Sequence, residues 1–385
     1  MKNIYIVVKC LPVMLVTAGA AWGQTIKIAT ASPLSGAQAQ LGEMVKLGAQ
    51  IAVEESAPAF EKMGFKLELI PQDDQASPDV GVAVAKRLAN DPEVLGVVGH
   101  FNSGVAIPAS EVYKDYDLVM VSPANTNPRV TERRYANVNR VCGRDDVQGP
   151  VGAEFAVREL GAKTIFVIND KTAYGQGVAD AFRNRARELG ANVVAFIGTE
   201  ERANFQPLIL QMKLLKPDFV YFGGIYDQGG LLIKQMREKG INAIFMGPDG
   251  LDSSDFVRIA QTAAQGVYYT TVAGPVDQYP AARAFAAKFN ERFHKKPESF
   301  ALYAYDSAMV IITAIKNLVA QSNLVPSRQE VCQAVRRISY EGITGVIEFN
   351  EKGDRRKADY YILLLKEPVY PGTTVKVISA SPPPN

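Results

Sequence analysis

Three short stretches place polar residues where an apolar strand stops. VVGHFNSG (97–104) ends its strand on Gly99 and runs through His100, Asn102 and Ser103 to Gly104. A serine there can be the N-cap of a helix, its hydroxyl and the amides after it pointing beyond the strand edge. Those amides and the positive end of the helix dipole equally suit a carboxylate, with Gly104 leaving room for it, so the stretch alone does not choose. VMVSPANTNP (119–128) offers the carbonyl of Ala124, the side chain of Asn125, and the amide and hydroxyl of Thr126. It could be an ordinary turn, since Pro, Asn and Thr are turn residues. AIFMGPDG (243–250) puts Asp249 just past a third strand end, where an Asp before Gly is often only a turn residue. Neutral donors and a helix dipole on one side, with a carboxylate facing them, complement a zwitterion.

Catalysis lacks its usual parts. His100 and His294 are the only histidines, and there is no GxxxxGK[ST], GxSxG, HExxH or CxxC. Tyr174-Gly175-Gln176-Gly177 continues Val178-Ala179-Asp180, without the third glycine of a dinucleotide fingerprint, and reads as a helix entry. His100 is expected to be a loop histidine satisfied by backbone groups. No catalytic residue, metal site or cofactor is expected, and a binder is the simpler reading.

The elements that would carry these strand ends alternate regularly. A chain of 385 residues predicts two domains. IKIAT (26–30), KLELI (66–70), VLGVVG (94–99) and DLVMVS (117–122) are compact apolar runs, and residues 41–56 and 77–91 between them have helical spacing. Apolar strands between amphipathic helices imply an α/β fold with a parallel sheet covered on both faces. The rhythm restarts with strands at 164–170, 192–198, 218–224, 243–248 and 266–272, and helices over 175–189, 204–215, 227–239 and 253–263. Helices are then predicted over 280–294, 299–319 and 327–338, followed by VIEF (346–349), the strand YYILLLK (360–366) and an unstructured SPPPN tail.

Lys2 and Lys9 flank an apolar start that reaches Ala21-Trp22-Gly23, which reads as a secretory leader over residues 1–23 cleaved before Gln24. The apolar run after Lys9 is too short to span a bilayer, and no other segment qualifies. Removing the two lysines lowers the formal net charge from +2 to 0, which disfavours nucleic acid as a partner. Cys142 and Cys332 remain, and either a disulfide or two buried thiols is compatible with their spacing.

IKIATASPLSGAQAQLG, QDD (72–74), VVGHFNS, SPANTNP, DDVQGP, NDKTAYGQG, DFVYFGG, FMGPDG and NEKGD, in this order from about residue 25 to 365, together resemble the branched-chain amino-acid-binding proteins of ABC transporters. The resemblance implies a type I periplasmic binding protein fold, two α/β lobes joined by three hinge crossovers. One lobe would be 24–144 plus 274–348, the other 145–273 plus 349–385. It implies that the ligand carboxylate meets Ser103 and Thr126, that the ammonium meets the Ala124 carbonyl and Asp249, and that Tyr174 closes over the ligand. Tyrosines that some members use to shelter the ligand would fall at Leu41 and Ile225, beside Tyr226, and Asn102 stands where some have cysteine. The expected protein is a monomeric periplasmic receptor that hands a Leu/Ile/Val-type amino acid to a membrane permease. The alternatives are the same fold binding an amide, urea or an aromatic acid, an exported α/β enzyme, and a sensory module reporting to a signalling partner.

Overall fold

A computed structural model describes residues 23–384; apart from Gly23, the leader expected over 1–23 lies outside the described residues. The first lobe opens with β1 (Thr25–Ser32), α1 (Ala39–Lys62), β2 (Lys66–Asp73), α2 (Pro78–Asn90), β3 (Val94–Gly99), α3 (Ser103–Asp115), β4 (Val119–Ser122) and β5 (Val138–Arg140). Its strands form one parallel sheet in the order β2-β1-β3-β4-β5. Every residue of β3 and β4 is buried, as strands covered on both faces require.

The chain then crosses to a second α/β lobe. It contains α4 (Asp145–Glu154), β6 (Thr164–Asn169), α5 (Ala173–Glu188), β7 (Asn192–Gly198), α6 (Gln206–Leu215), β8 (Phe219–Gly223), α7 (Tyr226–Glu238), β9 (Ile244–Gly247), α8 (Ser254–Ala260) and β10 (Tyr268–Thr271). A second crossing returns it to the first lobe with α9 (Ala282–Phe293), α10 (Ser299–Ser322), α11 (Arg328–Arg336) and the hairpin of β11 (Ser339–Gly342) and β12 (Gly345–Glu348). A third crossing brings β13 (Ala358–Leu364) and β14 (Thr373–Ala380) back, completing the sheet β14-β13-β10-β9-β8-β6-β7.

Local signals account for many boundaries. Ser77 and Pro78 start α2, with the Val80 amide donating to the serine hydroxyl, and Ser327 and Glu330 form a capping box on α11. Helix α10 is long and apolar enough to cross a membrane, contrary to the expectation that no segment after the leader would be. It is instead a core helix, with 67% of its most apolar stretch buried. Its close approach to α1 requires Gly48, because a Cβ there would lie 2.1 Å from the Ala301 carbonyl oxygen.

Two further points were left open by the sequence. The strand β14 was not foreseen: TTVKVISA alternates only weakly, but antiparallel pairing to β13 orders it as the sheet edge. Cys142 and Cys332 are both free and buried, and burial pushes both thiols up to about 12.

The first and third crossovers meet at a buried ionic knot. Asp354 accepts from Arg140 Nε at 2.6 Å, Thr131 Oγ1 at 2.7 Å and Arg144 Nη1 at 2.8 Å. Arg140 is fully buried, and its Nη1 also donates to the carbonyls of Asn125 at 2.9 Å and Asn127 at 3.1 Å. The knot thus holds both neighbours of Thr126.

Candidate binding cleft

The ends of β3 and β4 are tied together before any ligand is considered. Ser122 Oγ accepts from the amides of Ala124 (3.2 Å) and Asn125 (3.0 Å), which bends SPANTNP into a turn. Asn125 Nδ2 donates to the His100 carbonyl at 2.7 Å, locking this turn to the neighbouring strand end. His100 itself is fixed by side chains rather than the backbone groups expected. Its Nδ1 lies 2.7 Å from Asp74 Oδ2 and its Nε2 3.0 Å from Tyr113 Oη, all within the first lobe. Buried and paired on both nitrogens, the ring is scaffold.

Ser103 is not the N-cap. Asn102 holds that position without a side-chain cap bond, and the Ser103 hydroxyl one residue on accepts from the Asn127 amide at 3.2 Å. The serine therefore links the two strand ends. Gly104 leaves open space as expected: a Cβ there would find only the Ala173 methyl, at 3.9 Å.

From the second lobe, Thr172 caps α5 by accepting from the Gly175 amide at 2.9 Å and so sets Tyr174 at the cleft. Tyr174 Oη donates to Asp249 Oδ1 at 2.6 Å and accepts from the Gly250 amide at 2.7 Å. Glycine is needed at 250, since a Cβ would lie 2.3 Å from the Gly224 carbonyl and 3.1 Å from the Tyr174 ring. Burial pushes the Asp249 carboxyl up to about 6, against the opposing effect of the Tyr174 bond.

Ser103, Asn102, Ala124, Tyr174, Ile225 and Asp249, with Phe101 and Gly250, line one narrow cavity between the lobes. Outward, Asn102 and Tyr174 also border an open vestibule with Gln38, Lys171 and Arg202.

Three of the expected residues do not line the cavity. Leu41 is fully buried with Met44 and Val45 on the core face of α1, where helical periodicity sends it. Tyr226 donates to the Ala37 carbonyl at 2.7 Å, a bond from the second lobe to the first. Thr126 is fully buried, and its hydroxyl has no hydrogen-bond partner. Because the Tyr226 bond exists only when the lobes meet, Tyr226→Phe is expected to weaken ligand binding roughly fivefold, as for loss of about 1 kcal/mol. Calorimetric titration of the variant, with an unchanged melting temperature as control, checks this.

Sequence reasoning gave no role to Asp145, at the first turn of α4. Its amide donates to the Thr126 carbonyl at 3.0 Å, while both carboxyl oxygens are buried without a partner. Thr126 Oγ1 is near enough to ease its charge without reaching bonding geometry. Burial, then the neighbouring Asp249, still push Asp145 well above the carboxylate range. DDVQGP contributed to the resemblance, but nothing in its spacing shows that the aspartate turns inward.

Comparison with known proteins agrees with this architecture. The family model for the periplasmic binding protein matches residues 25–367. An "Amino acid binding protein" of Pseudomonas aeruginosa is 36% identical over 340 residues, 88% of this chain and 89% of that one. The "Leucine-, isoleucine-, valine-, threonine-, and alanine-binding protein" of the same organism is 35% identical over 339 residues, with the same two coverages of 88% and 89%. Among solved structures, the leucine binding protein LivK of Thermotoga maritima superposes with a TM-score of 0.83 at 28% identity, covering 92% of this chain and 98% of that one. With its two lobes, its three crossovers and a cleft between strand ends, the chain belongs to the periplasmic binding protein family.

Proposed function

We propose that this protein is the extracytoplasmic binding component of an ABC transporter. It captures a small aliphatic amino acid in the interlobe cleft and delivers it to a membrane permease. One observation carries the reading: a buried carboxylate, Asp249, oriented by Tyr174, shares a cavity with Ser103 and the Ala124 carbonyl. The ammonium would sit between Asp249 and Ala124, and the carboxylate at Ser103. A simple carboxylic acid or an amide gives Asp249 no charge partner, which favours a zwitterion. Ile225 and Phe101 supply apolar walls for the side chain. The relatives named for amino acids support the same ligand class. The lobes are taken as 24–144 with 274–348 and 145–273 with 349–385, the leader over 1–23 being removed on export to the periplasm.

Calorimetric titration with the common amino acids tests this reading, and the absence of binding by any aliphatic amino acid would refute it. The pH dependence has a definite sign. An ammonium ligand requires ionised Asp249, so a folded-state value near 6 makes affinity flat above pH 7 and weaker below 6. The dissociation constant at pH 5 is expected to be about tenfold higher than at pH 7.5.

A further inference from the structure

We infer that Asn102 makes this cleft select a small hydroxyl-bearing amino acid, of the threonine type, over its apolar isostere. The inference rests on the amino-acid reading above and goes beyond it to the side chain of the ligand. Asn102 stands in the cavity wall between the apolar Phe101 and Ser103. Its Nδ2 donates to Gln38 Oε1 at 2.8 Å, so the side chain is anchored. Its Oδ1 is buried from solvent and has no hydrogen-bond partner. An aliphatic side chain filling the cavity would leave that carbonyl unsatisfied in a desolvated site, whereas a hydroxyl would satisfy it.

The choice of a hydroxyl does not depend on which way the amides are assigned. If Asn102 and Gln38 were both turned over, their mutual bond would persist and Asn102 would present an N–H to the cavity. A hydroxyl accepts as readily as it donates, so it serves either arrangement. A basic side chain could also donate, but Asp249 is the only acid lining the cavity and is already committed to the amino group. The narrow cavity and its walls of Phe101 and Ile225 keep the side chain small.

Threonine and valine have nearly the same shape and differ by a hydroxyl for a methyl, so they isolate this contact. Calorimetry on the exported protein is expected to show L-threonine binding on the order of tenfold tighter than L-valine. Valine binding as tightly as threonine, or tighter, would overturn the inference while leaving the amino-acid reading intact. Binding of no amino acid at all would overturn both. Asn102→Leu is expected to abolish or reverse the threonine preference, and an unchanged ratio in that variant would remove Asn102 as its cause. If that variant does not fold, Asn102→Cys makes the same comparison with a smaller change.

Discussion

Asp249→Asn is expected to raise the dissociation constant for the amino acid at least a hundredfold while leaving the fold intact. The substitution is nearly isosteric: an asparagine Oδ1 still accepts from Tyr174 Oη, and the Gly250 amide still reaches the tyrosine oxygen. What disappears is the charge. Truncating one partner of a buried charge pair costs about 2–5 kcal/mol, and roughly 3 kcal/mol corresponds to a hundredfold change. The cost is large here because Asp249 is only 3% exposed, so water cannot stand in for the lost partner. A second readout is tied to the first. The weakening of wild-type affinity below pH 6 comes from protonation of this carboxyl and should flatten in the variant. Unchanged affinity in Asp249→Asn would sink the zwitterion reading.

The largest effect on stability is expected at the crossovers. Asp354→Asn leaves Arg140 fully buried without its charge partner and weakens the hold on Arg144. Breaking a buried ion pair from one side costs about 3–5 kcal/mol, which a shift in denaturant midpoint would read directly. The pH behaviour follows from the same geometry. Despite the desolvation that opposes it, Arg140 and Arg144 hold the Asp354 carboxyl down to about 2, against an ordinary value of 3.8. A depressed folded-state value contributes stability above pH 4 that is lost as pH falls towards 2, a contribution of about 2 kcal/mol. The variant should lack that acid-side loss. Because Arg140 also holds the Asn125 and Asn127 carbonyls, its ligand affinity should fall as well, through a loosened turn that carries Ala124 into the cavity. An unchanged midpoint would show that the knot is not a stabilising element.

Much of this protein was legible in one dimension. The alternation of apolar runs and amphipathic segments located nearly every parallel strand and most helices, because burial on both faces demands uninterrupted apolar strands. Strand ends followed by Ser, Asn, Thr or Asp marked where a ligand could sit, and four residues from them, Asn102, Ser103, Ala124 and Asp249, line one cavity with Tyr174 and Ile225, which the family resemblance implied. Pairings between distant segments were not legible. The edge strand β14 exists because β13 offers it a ladder, and Leu41 points inward because α10 lies against its helix. The cap role given to Ser103 passed to Asn102 because the Asn127 amide, brought in by the adjacent strand, took the serine hydroxyl. His100 found Asp74 and Tyr113 rather than the backbone, and Asp145 turned its carboxyl inward at a helix start that looked like any other. The sequence by itself determined the α/β order and the chemistry at the strand ends, since both follow from side-chain type and local periodicity. Only the tertiary structure decided which polar groups meet, because hydrogen-bond partners separated by tens to hundreds of residues are chosen by packing.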